Sequence, residues 1–204
     1  MAALALVCGE CQAYHGHVAA AALIVLSYLL GTFPTAPLVA GNAIRQGSGN
    51  PGASNAFRVA GTRAGVVVFA GDVAKGIAAV AAGDAVAGRH LAFACGAAAV
   101  VGHCFPVTRR FRGGKGVATT AGMTLVLIPV PALVAGVVWG ALAKATHKAS
   151  LASLVAMALL PAGAAAAGRP GWEVAAVGGV AALVVVRHAH NLSRLMHGEE
   201  QSLR

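Results

Sequence analysis

Three polar clusters in an otherwise apolar chain carry residue types suited to holding an anion. The first runs Gly47-Ser48-Gly49-Asn50 through Ser54-Asn55 to Arg58. Glycines let backbone N–H groups turn toward an anion, and Ser and Asn add short donors. Arg58 can grip a phosphate through two parallel hydrogen bonds. A turn would account for the glycines and Pro51, but not for two Asn, two Ser and the following Arg. The second cluster is "GHCFPVTRRFRGGKGVATT", Gly102 to Thr120. Its Gly113-Gly114-Lys115-Gly116 opens directly into an apolar helix, whose N-terminus is a ready anion site. It is not a Walker A loop, because Arg109 stands where the first glycine would be and no soluble strand–helix unit surrounds it. His103 lies at the foot of the preceding apolar run, where a structural role and a ligand-binding role weigh equally. The third cluster is "RHAHNLSRL", Arg187 to Leu195. His188 and Asn191 are three apart and share a face if the helix continues, while His190 falls off that face. A weaker set is Ser150 and Ser153, since Ser in an apolar helix often only bonds the preceding turn. Together these residues describe a pocket built for phosphate. No carboxylate dyad or HExxH pattern accompanies them, which argues against glycosidase or zinc-protease chemistry.

The elements that must position these clusters are membrane helices. Of 204 residues 58% are hydrophobic and 10% charged, with a mean hydropathy of +0.76; a soluble domain carries about 25% charged residues. Apolar runs near 18–40, 64–83, 91–107, 117–128, 132–143, 151–167 and 173–187 predict an all-α, polytopic membrane protein of about seven helices, some short. Pro129 and Pro131 predict a break in "IPVP"; merging 117–143 into one re-entrant unit gives five helices with the same sidedness. Of the 15 Lys and Arg residues, all but Arg89, Arg169 and the intramembrane Lys75 fall in 41–63, 108–117, 144–150 and 187–204. That asymmetry predicts an outside N-terminus, a cytoplasmic C-terminus and all three polar clusters on the cytoplasmic side. The net charge of +9 therefore reflects topology and attraction to anionic lipid, with no reason to invoke nucleic acid. Asp72 and Lys75, three apart inside a span, are expected to form a structural ion pair, with proton relay as the sharper alternative. Residues 1–17 form an extension to which no role is assigned; its Cys8-x-x-Cys11 has no second pair or matching His, and no metal or cofactor is implied. Residues 18–204 form a single transmembrane domain.

In order and topology, "GSGNPGASN…R", "GHCFP…FRGGKGVATT" and "RHAHN…RL" closely resemble the PlsY-type acyl-phosphate:glycerol-3-phosphate acyltransferases of bacterial membranes. The resemblance spans about residues 23–200, includes "DVAKG", and is highly specific when all three motifs occur together. Departures are Ser54 where the family usually has Thr, Arg112 where Lys is common, His190 where an acidic residue often precedes the Asn, and the Pro-rich "GTFPTAPLVAG". The resemblance implies transfer of a fatty acyl group from acyl-phosphate to the sn-1 hydroxyl of glycerol 3-phosphate, giving lysophosphatidic acid and phosphate at the cytoplasmic face of the cell membrane. It makes Ser48, Lys115, His188 and Asn191 candidate catalytic residues. Arg58, Gly47, Gly49, Asn50, Asn55, His103, Gly113, Gly114, Gly116, Ser150 and Ser153 become candidate substrate-binding residues. Either His188 or the transferred group's own phosphate could take the hydroxyl proton, and direct transfer competes with a covalent acyl-Ser48. The alternative from another class is a transporter of phosphate or an organophosphate. Its site would lie near the bilayer midplane between matching halves, and no internal repeat is present.

Overall fold

The computed structural model describes the backbone of residues 2–203 and the side chains of residues 16–203, so the Cys8/Cys11 pair and Arg204 lie outside the described side chains. Among the described residues eight α-helical elements follow one another: α1 Ala2–Gly31, α2 Thr35–Ala40, α3 Ala53–Cys104, α4 Val117–Leu127, α5 Pro129–Thr146, α6 Ala149–Ala166, α7 Gly171–Arg187 and α8 Ala189–Met196. There is no strand among the described residues. Val25, Leu26, Leu29 and Leu30 of α1 and Val130, Leu133, Val134 and Val137 of α5 are exposed. Such apolar exposure is what a lipid-facing surface requires. Among the described residues four helices, with the broken α3 counted once, are long and apolar enough to cross a membrane, or five when α7 and α8, bent by 59°, are taken as one span.

One element differs from the expected spans. The runs near 64–83 and 91–107 lie in α3 on either side of its break at Ala87–Gly88, where Gly88 takes φ +69°; the chain doubles back there, so that a Cβ on Gly83 would stand 2.7 Å from the Leu91 carbonyl oxygen. The run 117–128 forms an α4 of 11 residues, about 16 Å at the α-helical rise, which is too short for a hydrocarbon core of roughly 30 Å. The chain breaks at Ile128 and restarts at once, because Pro129 and Pro131 occupy the first turn of α5, where no N–H is needed. Small residues let α4 press against α3: a Cβ on Gly76 would stand 2.2 Å from the Thr119 carbonyl oxygen, and one on Gly122 2.0 Å from that of Val73. Close backbone approach of this kind is how helices associate where lipid removes the hydrophobic drive.

The two ends of the bundle are chemically distinct. At one, Glu173, 1% exposed, receives Arg89 at 2.5 Å and Arg169 at 2.8 Å. Arg89 also donates to the Leu127 carbonyl at 2.6 Å, which closes the end of α4 and ties the α3 break to the start of α7. At the other end lie the loops that carry the polar clusters.

Candidate active site

The loop before α3 is organised by Asn55, which is 1% exposed. Its Nδ2 donates to the Ile44 and Gln46 carbonyls at 2.9 and 3.0 Å, and its Oδ1 accepts the Ser48 N–H at 3.0 Å. Gly47 and Gly49 take φ of +62° and +65° and do not line the cavity described below; they bend the loop rather than touch its contents. Ser48 and Asn50 do line it, with the Asn50 N–H 3.4 Å from Ser48 Oγ. Arg58 reaches the same space from the first turns of α3.

The second loop folds onto the end of α3. The Gly114 N–H donates to the His103 carbonyl at 3.0 Å, and the Arg187 guanidinium donates to the Gly113 and Gly114 carbonyls at 3.1 and 3.2 Å. Gly116 adopts φ +87° as the residue before α4, a conformation that favours glycine. Lys115 and Gly116 then face the cavity together with the N-terminus of α4, whose first-turn N–H groups have no acceptor within the helix. Gly113 and Gly114 are buried behind the wall. Burial lowers the Lys115 pKa to about 8; the Glu200 charge opposes this, and Arg194, Arg58 and Arg187 add to it.

The chain bends by 59° at His188, between α7 and α8, and His188 caps the α8 turn that carries Asn191, its carbonyl accepting the Leu192 N–H at 2.8 Å. The His188 and Asn191 side chains are buried, at 2% and 4% exposure, and both line the cavity. The His188 Nδ1 lies 2.8 Å from the Val184 carbonyl. A carbonyl only accepts, so this nitrogen carries a proton, and in the neutral ring Nε2 holds the lone pair. The Lys115 ammonium donates to Asn191 Oδ1. Ser150 and Ser153 add hydroxyls from the first turns of α6, the latter receiving Trp139 Nε1 at 3.0 Å and donating to the Ala149 carbonyl at 2.8 Å. His190 is exposed.

The C-terminal tail is the part that sequence reasoning missed. Glu200, 9% exposed, accepts Ser150 Oγ at 2.8 Å, Asn191 Nδ2 at 2.7 Å and Arg194 Nε at 2.9 Å. Burial opposes its charge, but the hydrogen bonds from Arg194, Ser150 and Asn191 outweigh that and hold the carboxyl below the usual range. Arg58 Nε donates to the Ser202 carbonyl at 2.6 Å, and the Leu203 N–H donates to the His147 carbonyl at 2.8 Å. The only hint in the sequence was a Glu pair in a chain with 6 acidic residues.

Ser48, Asn50, Arg58, Lys115, Gly116, Ser150, Ser153, His188, Asn191 and Glu200 border one cavity of about 670 Å³. Its polar end holds Arg58, Lys115, His188, Asn191, Arg194 and Glu200; its other arm runs between α4, α5 and α6 along Ala121, Ala135, Gly136, Ala156, Met157 and Leu160. His103 and Asp72 reach its edge. Asp72 is bonded to Lys75 at 2.7 Å, and Lys75 donates to the Phe33 carbonyl at 2.6 Å. Such a space can receive a small anion at one end and an extended hydrocarbon chain along the other.

A family model described as glycerol-3-phosphate acyltransferase matches residues 21–198. A glycerol-3-phosphate acyltransferase of Syntrophomonas wolfei is 39% identical, over 90% of this chain and 96% of its own length. One of Desulforudis audaxviator is 44% identical, over 87% and 92%. Among solved structures, the glycerol 3-phosphate form of PlsY (YgiH), an integral membrane glycerol 3-phosphate acyltransferase, superposes with a TM-score of 0.86 at 34% identity, covering 90% of this chain and 95% of that one. Its lysophosphatidic acid form gives 0.83 at the same identity. With a family model spanning most of its length and relatives matched nearly end to end, the chain belongs to the glycerol-3-phosphate acyltransferase family.

Proposed function

We propose that the protein transfers a fatty acyl group from acyl-phosphate to the sn-1 hydroxyl of glycerol 3-phosphate, releasing lysophosphatidic acid and phosphate. The observation that carries this reading is the two-ended cavity, with cations and oriented amides at one end and an apolar arm lined by small residues at the other. The solved PlsY forms hold glycerol 3-phosphate in one case and lysophosphatidic acid in the other, and the same pair of molecules suits these two ends. The excess of Lys and Arg in the loops at the polar end supports reading that end as facing the cytoplasm.

Two anions must meet here, so several positive groups are needed to offset their repulsion. Lys115, the N-terminus of α4 and Ser48 hold the acyl-phosphate; Arg58, Lys115, Ser150, Ser153, His188 and Asn191 hold glycerol 3-phosphate, so that Lys115 lies between the two anions. His188 helps seat glycerol 3-phosphate so that its sn-1 hydroxyl oxygen faces the acyl carbon and the hydroxyl proton faces an oxygen of the acyl-phosphate. The C–O bond to glycerol forms as the acyl–phosphate bond breaks, and the hydroxyl proton leaves with the departing phosphate. A mixed anhydride is already activated, so positioning supplies much of the rate.

The test is purified protein given acyl-phosphate and glycerol 3-phosphate, scored for lysophosphatidic acid and released phosphate. Folded protein that forms no product would return a phosphate or organophosphate transporter to first place. Acyl-CoA or acyl-carrier protein supporting equal turnover would overturn the donor assignment.

A further inference from the structure

The glycines of the second loop have a task besides baring amides. A Cβ on Gly114 would stand 2.1 Å from His103 Nε2, and one on Gly113 2.1 Å from the His103 carbonyl oxygen. That same carbonyl takes the Gly114 N–H. The loop is thus laid on the last turn of α3 with no space for a methyl group, and the Arg187 bonds to the Gly113 and Gly114 carbonyls clamp it from the other side.

His103 is braced in turn. Its Nδ1 is 3.6 Å from the Asp72 carboxylate, which receives Lys75, itself anchored on the Phe33 carbonyl. Asp72, Lys75 and His103 are 1%, 5% and 9% exposed. A second, small polar void of about 10 Å³ borders Thr35, Asp72, Lys75, His103 and Gly114, and the buried Thr35 Oγ1 has no protein partner there. Such a void has room for about one water molecule. A stack therefore runs from Phe33 through Lys75, Asp72 and His103 to Gly114, one residue before Lys115.

We propose that His103 is a positioning residue of the anion loop. Seated by Asp72, its imidazole is the surface on which Gly114 is laid down, beside Gly113 on the His103 carbonyl, and it sets where the Lys115 ammonium and the N-terminus of α4 point. The proposal rests on reading the cavity as the phosphate-binding site of an acyltransferase. It explains why an ion pair sits inside α3 beside the loop, and why glycine is required at positions that do not line the cavity.

The test is a double-mutant cycle on KM for glycerol 3-phosphate in the full-length protein. Gly114→Ala drives a methyl into His103 and is expected to raise KM about tenfold or more, with kcat changed less. His103→Ala raises KM several-fold. The combined G114A/H103A variant has space for the methyl and should match His103→Ala alone. Losses that multiply instead would overturn the proposal, since Gly114 would then serve the ligand directly. Asp72→Ala is an independent arm, because the ring stays but loses its anchor: KM should rise with kcat changed less, and an unchanged KM would overturn the proposal too. The same cycle is read on the inorganic phosphate concentration that half-protects each variant against thermal unfolding. A wild type that binds phosphate but makes no lysophosphatidic acid would sink the acyltransferase reading while leaving the cycle legible.

Discussion

Asn191 is held in a single orientation by Glu200: its Nδ2 donates to Glu200 Oε1 at 2.7 Å, which leaves Oδ1 for the Lys115 ammonium. An amide that could flip would present a donor to that ammonium instead, so the tail carboxylate decides what the Lys115 end of the cavity offers a ligand.

Glu200→Ala is therefore expected to do two kinds of damage. Losing a buried acceptor that serves Ser150, Asn191 and Arg194 should cost about 2–4 kcal/mol of stability, read by thermal unfolding in detergent. In the fraction that stays folded, kcat/KM should fall by about tenfold or more. Glu200→Gln keeps an oxygen for Asn191 and Ser150 and should lose less on both counts. Equal losses for the two variants would show that the amide orientation is not what Glu200 sets.

The Lys115 pKa of about 8 predicts a pH limb. Glycerol 3-phosphate binds best to the ammonium form, which persists below that value and is lost above it. KM for glycerol 3-phosphate should accordingly climb as pH passes about 8, approaching tenfold per unit, while kcat at saturation changes less. Lys115→Arg, charged throughout, should flatten the climb even if its KM is higher at neutral pH. A KM independent of pH between 7 and 9 in the native protein would contradict this assignment.

Ser48 separates direct from covalent transfer. If it only donates to a phosphate, Ser48→Ala should lower kcat/KM by about 10- to 100-fold and still turn over. Turnover abolished to background, together with an acyl adduct on Ser48 in the native protein by mass spectrometry, would establish the acyl-enzyme route.

Filling the apolar arm should affect the donor alone. Ala135→Leu and Ala156→Leu each add bulk to a wall that Ala135 and Ala156 leave 3% and 4% exposed, at a packing cost of about 1–3 kcal/mol. The expected result is a raised KM for long-chain acyl-phosphate, a smaller rise for short-chain donors, and an unchanged KM for glycerol 3-phosphate. Equal effects on both substrates would place the chain elsewhere.

The all-α membrane architecture was legible because apolar runs of bilayer length have few alternatives. The gathering of Ser48, Arg58, Lys115, Ser150, Ser153, His188 and Asn191 was legible because charge asymmetry put their loops on one side. What escaped was anything that depends on helices touching. Gly113 and Gly114 read as amide donors because sequence cannot show that His103 lies beneath them. The pairing of Asp72 with Lys75 was expected from spacing, whereas its extension to His103, 31 positions on, needed α3 to double back at Ala87–Gly88. Glu200 carried no periodicity and lay beyond the last helix, so nothing local marked it as a partner of Ser150, 50 residues earlier.

α7 is pinned at both ends, by Arg89 and Arg169 on Glu173 and by the seat of His188 within the cavity. These points are about 22 Å apart along a helix, which makes α7 a gauge rod between the two faces of the molecule. Substitutions on its outward side can accumulate freely, but a single inserted residue would turn His188 by about 100° relative to Glu173. Either the latch or the imidazole would then face lipid. Variation in this stretch is expected to respect length far more strictly than composition.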